Sequence, residues 1–366
     1  MAIGSLQQEI RFCRSPDSTT IAYATIGQGP PIVRAAHWLS HLEKDWENPI
    51  TKPVLCELAR HNTLVRYDLR GCGLSDRDVN DMSFEAWLGD LESVVNAAEL
   101  DRFVLYGPSG GGGIAIAYAA RHPERVSRIV LHGAFVRGVR TLPLTSDQLD
   151  KIDTVAHLTE IGWGTKNPAF RQVFTSMFIP DGAAEQWNWW NDLQRVSSSG
   201  NIAARALQTY QRYDTAHVAS LIRCPTLIAH ARDDVLVPFQ EGRLIASLIP
   251  DAQLVPLASR NHVLLQTDPA WEQFFNAFHA FMRAESSHES GYPLAEELHA
   301  LSTRELEVLD LVARGMDNDQ IAARLGLSAK TVRNHITNIF AKLEIYTRAK
   351  AVAVAREAGL GVRRLD

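Results

Sequence analysis

Long hydrophobic runs are missing from this chain. No window of its 366 residues approaches the ~18 consecutive apolar residues of a membrane span, so no membrane partner is expected. The first nine residues carry neither the basic region nor the apolar core of a secretory signal. Cysteine is scarce: Cys13, Cys56, Cys72 and Cys224 are scattered without metal-ligand spacing. That argues against a disulfide framework or a zinc module, and for thiols kept reduced in a cytoplasm. Neither Gly-x-Gly-x-x-Gly nor Gly-x-x-x-x-Gly-Lys-Ser/Thr occurs, so no nucleotide cofactor, and no cofactor of any kind, is expected. Internal repeats and low-complexity tracts are absent too. What remains is an ordinary globular composition, 46% hydrophobic with net charge −5, and enough length for two domains.

The first 283 residues alternate strand-like and helix-like segments. Strands are expected at 10–14, 20–27, 32–36, 63–67, 102–106 and 127–131, with helices at 83–98 and 112–121. From about 138 to 215 the pattern turns helical and holds four of the eight tryptophans, at Trp163, Trp187, Trp189 and Trp190. The alternation resumes at 225–230, 239–248, 253–257 and 269–283. This rhythm predicts an α/β fold with a mostly parallel sheet covered on both faces and a helical cap inserted at 138–215. Residues 284–297 are polar, contain Gly291 and Pro293, and are expected to form a linker.

Residues 298–366 differ in character. Between 321 and 364 there are nine Lys/Arg and two Asp/Glu, a basic patch suited to phosphates. A short helix is expected to end at Gly326, where the left-handed conformation costs little. Ser328 then caps the next helix, on which Val332, Ile336, Ile339 and Leu343 share one apolar face. Arg333, Asn334 and Thr337 point the other way. With Leu301-Ser302, Arg304-Glu305, Glu307-Val308-Leu309, Gln320-Ile321-Ala322 and Ser328-x-Lys330-Thr331-Val332-x-Asn334-His335, this segment resembles the LuxR-type helix-turn-helix DNA-binding domain. The resemblance implies a separate all-α domain whose second helix reads the major groove. It places Arg333, Asn334 and Thr337 at base-reading positions and Thr331 beside them, with Lys330, Lys342 and Lys350 on phosphates. It also implies a homodimer on two half-sites. Residues 348–358, with Ala349, Val352 and Ala353 at helical spacing, offer a small-residue face that either pairs two copies or covers the domain's own core.

Upstream, Gly107-Pro108-Ser109-Gly110-Gly111 follows an expected strand and opens a helix. In that setting Gly-x-Ser-x-Gly is a nucleophile elbow, a sharp turn that lifts a serine hydroxyl above the sheet edge. The amide of Gly110, at the helix start, suits a developing oxyanion. An acid and a histidine must follow in that order. Asp234, after the strand at 225–230, fits the acid better than its neighbour Asp233, and His262 follows the strand at 253–257. The second oxyanion donor would come from Trp38 or Leu39, in Ala36-His37-Trp38-Leu39-Ser40-His41. His37 and His41 have no evident third ligand, and a non-metal reading is favoured.

These residues, with Arg66-Tyr67-Asp68-x-Arg70-Gly71-x-Gly73-x-Ser75 and His122-Pro123-Glu124-Arg125-Val126, resemble the α/β-hydrolase superfamily over about residues 10–283. The last two motifs read as structural. The resemblance implies an eight-stranded sheet and attack by Ser109 on an ester, amide or thioester carbonyl, followed by hydrolysis of the acyl-enzyme. Some relatives have lost turnover and act as receptors. Trp163, Trp187 and Trp190 either line an apolar ligand pocket or pack the cap. Together the segments predict a cytoplasmic transcriptional regulator whose hydrolase-like domain senses a small apolar ester, lactone or related molecule. The alternatives are a working esterase or lactonase whose DNA-binding domain serves localisation or autoregulation, and a receptor that reacts once and keeps the acyl group.

Overall fold

The computed structural model describes residues 7–284 and 301–343, together with Ile345, Arg348, Ala351, Val352, Ala355 and Leu360. The chain divides into two units, Met1–Arg283 and Ala284–Asp366. Most of the expected linker lies outside the described residues.

In the first unit, eight strands form one sheet: β1 Glu9–Arg14, β2 Thr20–Ile26, β3 Pro31–Arg34, β4 Thr63–Tyr67, β5 Phe103–Pro108, β6 Val126–His132, β7 Thr226–Ala231 and β8 Gln253–Leu257. Their order is β1-β2-β4-β3-β5-β6-β7-β8. The β1–β2 and β2–β4 pairs are antiparallel and all others parallel. Strand period explains the two cores. Along β5, Phe103 and Leu105 enter one buried cluster while Val104 and Tyr106 enter the other. Helix α3 (Phe84–Ala97) and helix α4 (Gly111–Arg121) cover the first face; α2 (Thr51–Ala59) and α11 (Pro269–Arg283) cover the second. On α11, Phe274, Phe278 and Phe281 recur at helical spacing and are buried.

The sequence reading did not contain α2 or the short α1 (Leu42–Glu47). A six-residue helix capped by the His41 ring rather than by Ser, Thr, Asp or Asn carries little pattern. Chain direction across the sheet reverses at β3. From it the chain steps to β4 on one side, then crosses to β5 on the other. The C-terminal ends of β3 and β5 therefore flank the crevice where ligands bind in such sheets. The Arg66–Ser75 motif holds this edge in place. The Arg70 guanidinium donates to both Asp90 oxygens, at 2.8 and 2.7 Å, and to Asp17 at 2.7 Å.

Between β6 and β7 the chain leaves the sheet and forms α5 (Ser146–Gly162), α6 (Pro168–Phe178), α7 (Ala184–Ser197), α8 (Gly200–Arg212) and α9 (Ala216–Ala219). The helix α10 (Phe239–Leu248) follows β7. Helix α8 buries Ile202, Ala203, Ala206 and Tyr210, a face at spacings of three and four; Ile202 lies close over Gly71 and Tyr210 close over Gly110.

The second unit contains α12 (Thr303–Ala313), α13 (Asn318–Leu325) and α14 (Ala329–Lys342). Reciprocal capping boxes, Ser302 with Glu305 and Asp317 with Gln320, start the first two. Gly326 ends α13 at φ 65°, and the Ser328 hydroxyl accepts from the Thr331 amide at the start of α14. Val332, Ile339 and Leu343 are buried and Ile336 packs beside them, as the apolar spacing predicted. Among the described residues, no helix is long and apolar enough to cross a membrane.

Candidate functional site

Ser109 sits between β5 and α4 with φ 49°, in the left-handed region that a residue with a Cβ rarely adopts. The turn is held because its amide donates to the His132 carbonyl at 2.8 Å and its own carbonyl accepts from Gly112 N–H at 2.9 Å. Gly107 is required by packing: a Cβ there would lie 2.8 Å from Gly112 Cα and 2.9 Å from Ala115 Cβ. Gly110 caps α4, so its amide belongs to the set that has no partner inside a helix.

His262 follows β8 and Asp234 follows β7. The His262 Nδ1–H donates to Asp234 Oδ2 at 2.8 Å, with both side chains almost wholly buried. The other Asp234 oxygen, Oδ1, accepts from the amides of Leu236 and Val237, each at 2.9 Å. Burial works to raise the Asp234 pKa, but the charge and N–H of His262 and the two amides outweigh it and hold it below the usual carboxylate value. Asp233 is exposed. The cap fastens the His262 loop. The Phe178 carbonyl, at the end of α6, accepts from the His262 amide at 2.9 Å and the Val263 amide at 3.2 Å, and the Asn261 side chain accepts from the Asp181 amide at 3.0 Å.

Two cavities meet at Ser109. One of about 650 Å³ lies under the cap and is mostly apolar, with walls that include Phe135, Leu142, Val155, Phe174 and Tyr210. The other, about 80 Å³, lies on the α2 side and is lined by Arg34, His37, Asp45, His132, Trp190 and His262 among others. The tryptophan reading needs correction. Trp163 does not line the large cavity; it is fully buried and stacks on Trp38 at 4.7 Å between ring centroids. Trp187 packs within the cap, its indole N–H donating to the Ile179 carbonyl at 2.9 Å. Trp190 reaches only the small cavity. The large cavity is instead walled mainly by Trp38 and by phenylalanine, tyrosine and aliphatic side chains, with Arg137, Gln211, Gln240 and Glu241 among its polar groups.

Trp38 follows β3 and borders both cavities. The Leu39 amide lies 3.2 Å from His37 Nδ1, while His37 Nε2 lies 2.7 Å from Arg34 Nη2. Burial holds the His37 pKa far below its usual value, and a neutral imidazole has one acceptor nitrogen for these two donors. The shorter, charge-assisted contact takes the lone pair, which leaves the Leu39 amide without an acceptor on that ring. His41 caps α1, its Nδ1 facing the Lys44 amide at 3.5 Å.

On α14, Lys330, Arg333, Asn334 and Thr337 are exposed along one side. The Thr331 hydroxyl pairs with Ser328 Oγ at 2.8 Å, and Thr337 Oγ1 donates to the Arg333 carbonyl at 3.0 Å. Lys342 is exposed, as a phosphate contact requires, and its ammonium also lies 2.8 Å from Glu305, inside the α12 capping box. Lys350 lies outside the described residues. Of the two readings of residues 348–358, the described residues show the second. Val352 packs against the domain's own core beside buried Ala351 and Ala355, while Ala349 and Ala353 lie outside the described residues.

The architecture defines a class: a doubly wound α/β unit with an elbow serine at its switch point, joined to a helix-turn-helix unit. Residues 42–269 match the family described as alpha/beta hydrolase fold, and residues 299–355 match the bacterial regulatory proteins of the luxR family. The chain belongs to the alpha/beta hydrolase fold family and carries a LuxR-type DNA-binding domain in the same polypeptide. Similar proteins include the 2-hydroxy-6-oxo-2,4-heptadienoate hydrolase of Pseudomonas putida, 28% identical over 62% of this chain and 77% of the relative. A 2-hydroxymuconate semialdehyde hydrolase of a Pseudomonas species is 30% identical over 62% of this chain and 75% of its own length. Among solved structures, an esterase from Exiguobacterium antarcticum matches with TM-score 0.64 and 23% identity, over 75% of this chain and 99% of that one. An enol-lactonase from Burkholderia xenovorans matches with TM-score 0.59 and 20% identity, over 74% and 99%. At these identities the structural matches establish the fold.

Proposed function

We propose that this protein is a transcriptional regulator whose hydrolase unit binds a small, largely apolar ester, lactone or related carbonyl compound and whose occupancy controls operator binding by the LuxR-type domain. The reading rests on one observation: Ser109 borders an apolar cavity of about 650 Å³ and also a smaller one lined by His262, which is hydrogen-bonded to Asp234, in a chain that also carries a DNA-binding domain.

In this reading Ser109 Oγ attacks the ligand carbonyl as His262 Nε2 takes its proton, and Asp234 holds the imidazole in the tautomer that can do so. The amides of Gly110 and of Trp38 or Leu39 face the oxyanion. The tetrahedral adduct collapses as His262 gives the serine's proton to the leaving alkoxide; water, deprotonated by the now neutral His262, then attacks the acyl-enzyme and releases the acid and free Ser109. Two copies act together on two half-sites, in the cytoplasm. Coupling runs through the cap, because the Phe178 carbonyl grips the His262 loop, so a ligand that moves α6 moves that loop too. The strained serine and the buried His–Asp pair also favour a second reading, a working hydrolase whose DNA-binding domain serves localisation or autoregulation.

The deciding experiment measures operator affinity of the intact protein with and without saturating ester or lactone ligands, in wild type and in Ser109→Ala. A ligand-dependent shift supports the sensor, since a ligand moves an equilibrium only by its different affinity for the two states. Turnover without any shift in operator affinity favours the tethered enzyme instead.

A further inference from the structure

The small cavity beside Ser109 has a feature that ester cleavage does not use. Arg34, the last residue of β3, lines its wall. Among the described residues no carboxylate lies within ion-pair distance, 4.0 Å, of its guanidinium; its one polar contact there is the neutral His37 ring at 2.7 Å. The carboxylate nearest in kind, Asp45, lines the same cavity but is engaged by Arg66 at 3.0 Å. Arg66 also donates to Gln8 and to the Leu42 carbonyl. The charges of Arg66 and Arg34 both act on Asp45, but its ion pair is with Arg66, which leaves the half-buried Arg34 guanidinium without a carboxylate of its own. The remaining lining groups bring no further negative charge: burial keeps His132 and His37 neutral, and the other walls are mainly apolar, such as Ile50, Leu55 and Leu264.

We propose that Arg34, oriented by His37, forms an anion subsite that takes a carboxylate on the ligand, so that the ligand is bipartite: an apolar body in the large cavity and a short acidic arm in the small one. The subsite rests on the reading of Ser109 as the centre at which the ligand carbonyl lies. Ser109 borders both cavities, so a carbonyl held there sends one substituent into each. A volume of about 80 Å³ has room for only a few water-sized groups, which restricts the acidic arm to a short chain. His37 acts as a positioning residue. By accepting from Nη2 it fixes the guanidinium plane and leaves the other N–H groups for the ligand, since Arg recognises carboxylates through two parallel donors.

The test compares mono(4-nitrophenyl) glutarate with the neutral 4-nitrophenyl butyrate on the full-length protein. Replacing the guanidinium removes charge-assisted hydrogen bonds, so Arg34→Gln should lower the glutarate-to-butyrate ratio of kcat/KM by roughly 10- to 100-fold, carried mainly by KM. Arg34→Lys, which keeps the charge but loses the fork, should restore part of the ratio. An unchanged ratio in Arg34→Gln overturns the subsite while leaving the Ser109 reading intact. A second measurement does not depend on turnover: calorimetric titration of Ser109→Ala with monomethyl glutarate and with methyl butyrate. Tighter binding of the acid, lost when Arg34→Gln is added, supports the subsite; equal binding with and without Arg34 overturns it. If the wild-type protein cleaves neither ester and Ser109 resists a fluorophosphonate, the Ser109 reading fails, and the titration alone decides for or against the subsite.

Discussion

Asp234→Asn is the sharpest probe of the candidate active site, because the structure dictates which way the new amide must face. Oδ1 of Asp234 accepts from two backbone amides, Leu236 and Val237, each at 2.9 Å. An asparagine must place its carbonyl oxygen there, since its NH2 would set donors against donors. That forces the NH2 into the place of Oδ2, which is 2.8 Å from His262 Nδ1. The imidazole must then accept at Nδ1, so its proton moves to Nε2, and a protonated Nε2 cannot take the proton of Ser109. In serine hydrolases such a tautomer reversal costs on the order of 10⁴ in kcat, which corresponds to about 5.5 kcal/mol of transition-state stabilisation. Asp233 is exposed and touches none of these groups, so Asp233→Asn should change kcat less than about threefold, as surface substitutions do. The assay is hydrolysis of 4-nitrophenyl butyrate, with a thermal melt to show that each variant is folded. A folded Asp234→Asn within tenfold of wild type, or an equal loss in Asp233→Asn, would refute the orienting role.

Further outcomes follow from particular residues. Gly107→Ala places a Cβ at 2.8 Å from the Gly112 backbone; urea titration should show a loss of about 1–3 kcal/mol, typical of overpacking, and esterase activity should fall with it. In operator-binding assays Arg333→Ala should lose about 1–3 kcal/mol of discrimination against altered operators. Lys342→Ala should instead lower the melting temperature of the DNA-binding unit, because it removes the partner of Glu305. Hydrogen bonding from Lys342 and Ser302 lowers the Glu305 carboxyl to about 2 from its ordinary 4.5, so that stabilisation is complete above pH 4.5 and is lost as the pH falls toward 2. In the hydrolase unit, burial lowers His132 to about 3 from 6.5. The unfolded chain therefore takes up the proton first, and stability in denaturant titrations should be full above pH 6.5 and decline as the pH falls below it.

The order Ser109, Asp234, His262 was legible because each residue follows an apolar strand, and a strand's carboxyl end fixes where the next side chain stands. Gly326 and Ser328 were legible for a similar reason: turn and cap chemistry is local. Arg34 was hidden inside an expected strand at 32–36, whose apolar neighbours gave no sign that its side chain would reach a cavity. The cap tryptophans announced an aromatic cluster but not its partners; Trp163 stacks on Trp38, a residue 125 positions earlier in the chain. Lys342 lies 37 residues from Glu305, so a helix-face argument could place it outward but could not anticipate its ion pair. Local rules governed turns, caps and strand ends, and they stopped where two distant segments share a wall.

The fastening of the His262 loop to the cap gives this architecture its logic. In a rigid hydrolase the histidine loop would need only its own strand and helix for support. Here its backbone is held by the Phe178 carbonyl and its Asn261 side chain by the Asp181 amide, both at the α6–α7 junction. Phe178 also lines both cavities. A ligand that fills the space under the cap would touch the residue whose carbonyl holds the histidine loop, while a smaller one could occupy the site without reaching it. Ligand size and shape, read through Phe178, would then separate molecules that merely bind from those that change the state of the unit. Chemistry at Ser109 would act as the reset, since cleavage removes the group that displaced the cap. Such a device needs the hydrogen bonds to Phe178 to be breakable without unfolding the sheet. They meet that condition because they join a loop to the cap and lie outside the β-ladder pairs of the sheet.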